Sequence, residues 1–361
     1  MRAQPGGDGG DPPRQGPIGV GLIGYGLAGS ALHAPLIGAE ARLRLQAVVS
    51  SRPERVRRDL PGMRVVATAA EMLEDPAVEL VVVAAPTAAH DELASLALRA
   101  GRHVVVEKPL APTAAQADEL LRLAERQGRL LSVFHQRRWD GDFLTVQRCL
   151  RAGLLGSVST FIARYDRFQP RPPGGWREQD LPGAGVLYDL GAHLVDQALQ
   201  LFGPPATVLA DVGTQRPGAA ADDWFHLLLG YGELRVILHA GSVVRVPGPR
   251  FELHGDRGSF VKHGRDPQAA ALEAGRRPGD PGWGAEPADQ DGLLTTEVGG
   301  LEVSGRLTTV AGTYELFYRQ MARAILGEGQ VPVTAASAAS TVRVLEAARR
   351  SSREGRVVPA G

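Results

Sequence analysis

Short apolar runs alternate with amphipathic segments in the first third of the chain. The candidate strands are continuous in Val, Ile and Leu, and they cover residues 18–24, 43–50, 63–66, 79–86, 102–109 and 130–136. Such strands are buried on both faces, as in a parallel sheet covered by helices. Helical segments such as ADELLRLAERQ, residues 117–127, lie between them and complete βαβ units. We therefore predict an α/β domain with a doubly wound parallel sheet at residues 17–139.

The pattern changes after Asp140, where strand-like runs with tight turns replace the regular alternation. Hairpin spacing predicts an open, mainly antiparallel sheet, and thus a second, α+β domain at residues 140–361. Residues 264–292 are rich in Gly, Pro and Asp. A loop of this length is typical of a functional cover, an interface element or a disordered segment. The predicted helices of this domain cover residues 140–152, 187–201, 312–327 and 334–353.

Composition narrows the class of protein. The 361 residues fit two domains, and the 40 basic and 40 acidic residues balance without blocks of like charge. This balance argues against a nucleic-acid or membrane partner. The single cysteine, Cys149, excludes an internal disulfide and fits a reducing compartment. Residues 1–16 have no apolar core, so we expect a flexible tail rather than a targeting segment, and a cytoplasmic protein.

The first predicted strand ends in GLIGYGLAG, which places Gly24, Gly26 and Gly29 in G-x-G-x-x-G spacing. The first glycine makes a tight turn, the second lets the backbone approach a pyrophosphate, and the third packs helix against strand. The helix that follows supplies N–H groups to the anion. Glycines in such a turn can be purely structural, but the βαβ context favours a dinucleotide site.

The end of the second strand distinguishes the two nicotinamide cofactors. NAD sites usually place Asp or Glu there to bind the ribose 2′-hydroxyl. This chain has Ser50, Ser51 and Arg52 there, and the first acid after the strand is Glu54. Two hydroxyls and a guanidinium suit a 2′-phosphate. The sequence favours NADP(H), although Arg52 can also be a loop residue of an Arg-rich chain, and NAD(H) remains an alternative.

Lysine is rare here: only Lys108 and Lys262 are lysines among the 40 basic residues. Lys108 follows the fifth strand in VVVEKPL, so Glu107 and Lys108 are predicted to face the ligand crevice. A lysine ammonium can lose its proton when it is desolvated, which a guanidinium does not do. Pro109 biases Lys108 toward an extended backbone, and the sequence leaves open whether their peptide bond is cis. A surface lysine in a turn is the alternative.

The segment GAGVLYDLGAHLVDQALQL contains Asp189 and His193, four residues apart on a predicted helix, with Asp196 three residues further on. Positions four apart share a helix face, so we expect Asp189 to orient His193 and raise its pKa. A capping or surface pair is the alternative. No third and fourth ligand stand at a useful spacing, so no metal is expected.

These segments, together with SVFHQRRWDGDF and WREQ, resemble the Gfo/Idh/MocA oxidoreductase family, closest to its scyllo-inositol dehydrogenase branch. The resemblance covers about residues 17–358. It implies a Rossmann domain and a second domain whose open sheet joins copies of the chain into a dimer or tetramer. It further implies that Lys108, Asp189 and His193 form the catalytic group. Trp176 and Arg177 match a Trp-Arg pair at the cleft.

The resulting site prediction combines the motifs with the resemblance. Thr87 and Gln136 stand where relatives tend to have Asn, on the nicotinamide side. The predicted substrate contacts are Lys108, Trp176, Arg177, Asp189 and His193. The predicted cofactor contacts are Gly24, Tyr25, Gly26, Leu27, Ala28, Gly29, Ser50, Ser51, Arg52, Pro86, Thr87, His90, Glu107, Lys108 and Gln136.

The expected reaction is hydride transfer between NADP(H) and a secondary alcohol or ketone of a polyol or sugar, with an inositol favoured. Reduction of another sugar, a dihydrodiol or a deoxysugar is an alternative chemistry. A non-catalytic regulator that senses a dinucleotide is an alternative class, because one fold hosts many functions. Such a regulator needs no Lys/Asp/His set, and this chain has all three residues.

Overall fold

The computed structural model describes residues 16–360 and contains two β-sheets. The first is parallel, with strands β1 (Ile18–Ile23), β2 (Leu43–Val49), β3 (Arg64–Val66), β4 (Leu80–Val83), β5 (His103–Glu107) and β6 (Leu131–Phe134). Their order across the sheet is β3-β2-β1-β4-β5-β6. The order reverses between β1 and β4, which opens a crevice at the carboxyl ends of the strands. The predicted doubly wound sheet is confirmed. The predicted tail, apart from Gly16, lies outside the described residues.

Helices cover this parallel sheet and explain its unbroken apolar runs. The consecutive residues Val81 and Val82 of β4 are both 0% exposed, although neighbouring side chains of a strand point to opposite faces of the sheet. The Thr113 hydroxyl accepts a hydrogen bond from the Gln116 N–H at 3.2 Å. This bond caps the start of the longest helix that covers the parallel sheet. The helices are α1 (Ala34–Gly38), α2 (Pro53–Asp59), α3 (Ala69–Leu73), α4 (His90–Arg99) and α5 (Ala114–Gln127).

The second sheet is mainly antiparallel, as predicted. Its strands are β7 (Val158–Arg164), β8 (Thr207–Gly213), β9 (Trp224–Tyr231), β10 (Leu234–Gly241), β11 (Phe251–Gly255), β12 (Gly258–Lys262), β13 (Gly292–Val298), β14 (Leu301–Leu307) and β15 (Val358–Pro359). They lie in the order β14-β13-β12-β11-β7-β10-β9-β8-β15. Only β7 and β10 pair in parallel. Helices α6 (Gly141–Arg151) and α7 (Ala192–Phe202) share a core with this sheet.

The chain forms two units, the parallel sheet with its helices and the second sheet with its helices. The last two long helices, α9 (Glu315–Ile325) and α10 (Ala335–Glu354), pack in the cores of these units. Phe317 and Tyr318 of α9 are buried in the core of the parallel sheet. Leu345 of α10 is buried in the core of the second sheet. The predicted boundary at 139/140 falls between the two sheets, while the end of the chain packs against both cores. None of the helices in residues 16–360 is both long and apolar enough to cross a membrane.

The open face of the second sheet carries apolar side chains. Leu209 of β8 and Leu293 of β13 are 38% and 51% exposed, although the strand neighbours of Leu209 are buried and those of Leu293 are buried or half-buried. This alternation is typical of a sheet that packs on helices through one face only. Association of copies of the chain through the open face, which the family resemblance implies, stays a prediction.

The predicted long loop is an ordered excursion between β12 and β13 that packs on the first unit. It contains α8 (Gln268–Glu273), and Leu272 of this helix is buried in the core of the parallel sheet. The Trp283 indole N–H donates to the Glu315 carboxylate of α9 at 2.9 Å. The excursion therefore joins the second sheet to the first unit.

The second lysine of the chain anchors this excursion. Lys262 ends β12 and is fully buried. Its Nζ donates to the His263 carbonyl at 2.6 Å, to the Glu286 carboxylate at 2.6 Å and to the Gln290 carbonyl at 2.8 Å. Three acceptors around one nitrogen match the three N–H bonds of an ammonium. This match gives a structural reason for lysine rather than arginine here.

We predict that Lys262→Met destabilises the protein by about 3 kcal/mol, because it leaves the buried Glu286 carboxylate without its cation. Thermal and urea unfolding measure the change. Adding Glu286→Gln to Lys262→Met should recover part of the loss. Arg122→Met, which removes the exposed pair between Arg122 and Glu119 on α5, is the matched control and should leave the midpoints unchanged. Equal effects of the two single substitutions would contradict the anchoring role.

Candidate functional site

The glycine turn after β1 has the geometry of a phosphate-binding loop. Gly24 adopts φ +96°, and a Cβ there would lie 2.4 Å from the Ala84 carbonyl oxygen. A Cβ on Gly29 would lie 2.2 Å from the Gly24 carbonyl oxygen, whereas a Cβ on Gly26 would meet nothing within 4 Å. The outer glycines are thus needed for packing, and the middle one leaves the backbone open to a ligand. A dinucleotide pyrophosphate fits this opening.

A helix begins directly after this turn, and its first part is π-helical. This part, Ala28–His33, continues into α1 with Pro35 in the first turn. The Ser30 hydroxyl donates to the Gly26 carbonyl at 2.7 Å, which ties the helix to the turn. The turn therefore presents its N–H groups from a fixed position.

The crevice at the carboxyl ends of the strands has a volume of about 450 Å³. Of the predicted cofactor contacts, Gly29 does not line it, because this residue is buried beneath the turn. Gln136 lies outside it as well, in the adjoining cavity. The predicted contacts that do line it are Gly24, Tyr25, Gly26, Leu27, Ala28, Ser50, Ser51, Arg52, Pro86, Thr87, His90, Glu107 and Lys108.

The end of β2 contributes hydroxyls and a guanidinium to this crevice. The Arg52 N–H donates to the Ser50 hydroxyl at 3.0 Å, and the side chain of Arg52 is exposed. The nearby acid Glu54 is 86% exposed and pairs with Arg57 on α2. A second cation, Arg55, donates to the Ser30 hydroxyl at 2.9 Å and was not selected from the sequence. The end of β2 therefore provides hydroxyls and guanidinium groups that can bind an anion.

A second cavity, of about 670 Å³, adjoins the crevice. Lys108, Trp176 and Arg177 line both spaces, so a ligand in one meets a ligand in the other at these residues. The second cavity is also lined by Gln136, Asp189 and His193. The structure thus brings the three predicted catalytic side chains to one cavity, although they come from both units of the chain.

The Lys108 ammonium contacts Asp189 twice. Its Nζ donates to the Asp189 carbonyl at 2.6 Å and to the Asp189 carboxylate at 2.9 Å. Burial lowers the pKa of Lys108, the Asp189 carboxylate opposes this shift, and Arg177 adds to it. The net result is a lysine pKa below its ordinary value. The Lys108–Pro109 peptide bond is cis, which answers the question that the sequence left open.

Three cations surround the Asp189 carboxylate. Besides Lys108, Arg177 donates to it at 3.2 Å and Arg167 at 3.4 Å. Burial favours the neutral carboxyl, but the three cations outweigh it and hold the Asp189 pKa well below its usual range. The carboxylate therefore stays ionised, and positive charge exceeds negative charge around it.

The expectation that Asp189 orients His193 and raises its pKa is wrong. Leu187–Gly191 forms a π-helical turn rather than the first turn of α7, and the Leu187 N–H donates to the Asp222 carboxylate at 2.7 Å. In this wider turn, residues four apart do not share one face as they do in an α-helix. The Asp189 carboxylate binds Lys108 instead of His193. Burial, followed by repulsion from Lys108 and Arg137, lowers the pKa of His193 well below its ordinary value. His193 is consequently neutral near pH 7.

A buried chain of hydrogen bonds supports the lysine from behind. The Glu107 carboxylate accepts from the Lys108 N–H at 3.1 Å and lies 2.9 Å from His33 Nε2. His33 Nδ1 lies 2.6 Å from the Tyr318 hydroxyl of α9. Glu107 was predicted to face the cofactor; it lines both spaces, and its carboxylate is also held by this chain. His33 and Tyr318 were missed, because they are distant in sequence.

The substrate side contains further polar groups that sequence reasoning did not select. Arg137 donates to the Asp140 carboxylate at 3.1 Å and to the Tyr165 hydroxyl at 2.8 Å. Both Arg137 and Tyr165 line the second cavity. The segment HQRRWD contained the signal for Arg137. Within residues 16–360, no three His, Cys, Asp or Glu side chains are arranged to hold a metal ion.

Two family models match the chain and divide it at the region between the sheets. Residues 18–135 match the oxidoreductase family NAD-binding Rossmann fold, and residues 147–360 match the oxidoreductase family C-terminal alpha/beta domain. The solved structure of yvaA from Bacillus subtilis is similar to this chain with a TM-score of 0.93 and 42% sequence identity. That similarity covers 96% of this chain and 99% of yvaA.

Curated relatives extend this match over almost the whole chain. The scyllo-inositol 2-dehydrogenase (NADP(+)) IolW of Bacillus subtilis is 43% identical over 94% of this chain and 95% of its own length. The oxidoreductase YdgJ of Escherichia coli is 44% identical over 91% of this chain and 94% of its own length. With both domains matched, the chain belongs to the Gfo/Idh/MocA family of NAD(P)-dependent oxidoreductases, whose chemistry is the oxidation and reduction of CH–OH groups.

Proposed function

We propose that the protein transfers hydride between NADP(H) and a secondary alcohol or ketone of a cyclic polyol, an inositol in the first place. The observation that carries the proposal is the contact of Lys108 with Asp189 beside His193, in a cavity that adjoins the dinucleotide crevice. The relative IolW, named for scyllo-inositol and NADP(+), supports both the substrate class and the cofactor.

NADP(H), when bound in the crevice, would supply the hydride chemistry, and residues of this chain would bind the substrate oxygen and move its proton. His193 is neutral because its pKa is depressed, so it can accept the proton of the substrate hydroxyl. Lys108 donates a hydrogen bond to the same oxygen and stabilises the negative charge that develops there. Asp189 fixes the lysine at that position and, as an anion, favours the protonated ammonium.

The excess of positive charge in the cavity serves the same step. Lys108, Arg167 and Arg177 surround the single carboxylate of Asp189. Their positive charge favours an alkoxide over an alcohol. Burial, followed by Lys108 and Arg137, opposes protonation of His193 before the substrate binds. His193 therefore stays unprotonated and can accept a proton when the substrate alcohol is oxidised.

The preference for NADP(H) is proposed from the rim at the end of β2. Ser50, Ser51 and Arg52 line the crevice, and no carboxylate lines it at this strand end in the described residues. The ribose 2′-phosphate would accept from the two hydroxyls and the guanidinium. A ribose 2′-hydroxyl would lack the acidic partner that NAD sites usually provide.

A substrate panel tests the function. We expect NADP⁺ reduction with scyllo-inositol or myo-inositol and NADPH oxidation with the corresponding inososes, at higher kcat/KM than with keto-sugars, dihydrodiol substrates or small diketones. Absorbance at the NADPH band follows turnover in both directions. Tight NADPH binding without turnover of any compound would overturn the proposal, and a higher kcat/KM for a keto-sugar would replace the inositol by that class.

We expect His193→Ala to lower kcat by about 10²–10⁴-fold, the contribution of one positioned proton-transfer group. The dissociation constant of NADPH, measured by fluorescence, should not change, because the Rossmann crevice does not include His193. His254→Ala is the matched control, since that histidine contacts Ser259 on the second sheet. Unchanged turnover of His193→Ala would remove this residue from the mechanism.

We expect Arg52→Gln to raise KM for NADP⁺ by about 10–100-fold, because a hydrogen bond to a charged group contributes about 1.5–3 kcal/mol. The KM for NAD⁺ should stay within about two-fold, since NAD lacks the phosphate. Arg58→Gln on α2 is the control, because Arg58 is 72% exposed and pairs with Asp59. Equal losses with both cofactors would show that Arg52 does not bind the 2′-phosphate.

A further inference from the structure

Two histidine rings meet edge to face behind the substrate cavity. The ring centroids of His193 and His135 are 6.3 Å apart, with an angle of 85° between their planes. Both residues are buried, with 4% and 1% of their surface exposed. Within residues 16–360, neither His135 nitrogen nor His193 Nδ1 has a hydrogen-bond partner. Buried imidazole nitrogens are normally satisfied, so these atoms require an explanation.

A buried carboxylate, that of Asp196, lies near this pair of histidines. The Asp196 carboxylate lies 3.8 Å from His135 Nδ1. Arg138 holds the carboxylate with two hydrogen bonds, of 2.8 Å and 2.6 Å. Burial opposes ionisation, but His135 and Arg138 outweigh it, and the Asp196 pKa is lowered. Asp196 is therefore a fixed anion beside His135.

We propose that His135, backed by Asp196, is a positioning residue that relays a proton to and from His193. The inference rests on the proposed function, in which His193 is the proton acceptor. Asp196 then has the supporting role that the sequence assigned to Asp189, whose carboxylate is engaged by Lys108, Arg177 and Arg167.

The relay is a balanced proton movement without electron transfer. The substrate O–H bond breaks as an N–H bond forms on the His193 nitrogen other than Nδ1. The N–H bond at His193 Nδ1 then breaks, and an N–H bond forms on His135, directly or through one bridging water. The Nδ1 atom of the resulting His135 imidazolium lies 3.8 Å from the Asp196 carboxylate. Reduction of a ketone runs the same steps in reverse.

The two rings have different charged neighbours. An imidazolium at His193 would be repelled by its cationic neighbours, whereas one at His135 would have Asp196 and Glu107 nearby. Burial lowers the His135 pKa to about 4, Asp196 opposes the shift, and Arg138 and Lys108 add to it. The charged and titratable groups that act on the pair are Glu107, Lys108, Arg137, Arg138, Asp196 and Arg250.

A double-mutant cycle on kcat tests the relay. His135→Gln should lower kcat by about 10–100-fold, a part of the roughly 10²–10⁴-fold that a positioned proton-transfer group contributes. In the His193→Ala background the same substitution should change kcat by less than about two-fold, because a relay acts only through His193. The dissociation constant of NADPH should stay the same in all four proteins. His254→Gln is the control for the loss of a histidine.

The outcomes separate this inference from the function on which it rests. If His193→Ala is impaired and His135→Gln retains full kcat, the relay is overturned while the proposed function stands. If His193→Ala retains full kcat, both are overturned. Equal losses from His135→Gln in the two backgrounds would show a structural role instead, and would overturn the relay.

A second variant guards against misfolding of His135→Gln. Asp196→Asn keeps the shape of the side chain and removes its charge. We expect this variant to lower kcat with unchanged substrate KM and to increase the solvent deuterium isotope effect on kcat, because proton transfer becomes slower than the other steps. An unchanged isotope effect in a folded Asp196→Asn protein, verified by its circular dichroism, would also overturn the relay.

Discussion

One contact between the two units determines the arrangement of the site: the Lys108 ammonium bound to the carbonyl and carboxylate of Asp189. Lys108 follows a strand of the parallel sheet, and Asp189 lies in a turn that precedes α7 of the second unit. Because the ammonium is buried, it needs an anion, and because the carboxylate is buried, it needs cations. The pairing fixes where the cofactor crevice and the substrate cavity meet.

The electrostatics of the cavity follow from this contact. A buried lysine in contact with one carboxylate, with two arginines on the same carboxylate, leaves an excess of positive charge. Burial, followed by repulsion from Lys108 and Arg137, keeps the pKa of His193 well below its ordinary value. Burial also lowers the pKa of Lys108, against the opposing charge of Asp189 and with a further contribution from Arg177. Lys108 therefore has two effects: its charge would stabilise an alkoxide on the substrate, and it helps to keep His193 neutral.

Local patterns predicted most of the fold, because strand burial and turn chemistry are encoded in neighbouring residues. The glycine turn is such a case, since Gly24 and Gly29 contact each other within one turn. The hairpin of β13 and β14 was missed, because β14 is exposed along most of its length and lacks an apolar pattern. The partner of Asp189 was mistaken, since a π-helical turn cannot be distinguished from an α-helical one in the sequence. Contacts such as His33 with Tyr318 join distant segments and leave no local signal.

The excursion anchored by Lys262 constrains how the molecule can move. It leaves the second sheet, places Leu272 in the core of the first unit and returns to β13. Together with α10, which packs in both cores, it connects the two units at separate places. Two connections prevent a wide hinge rotation about the cleft. The surface segment 170–183, in which Gly174, Gly175 and Gly183 adopt positive φ, carries Trp176 and Arg177, which line both spaces. One short segment of the chain therefore contributes to the cofactor crevice and to the substrate cavity.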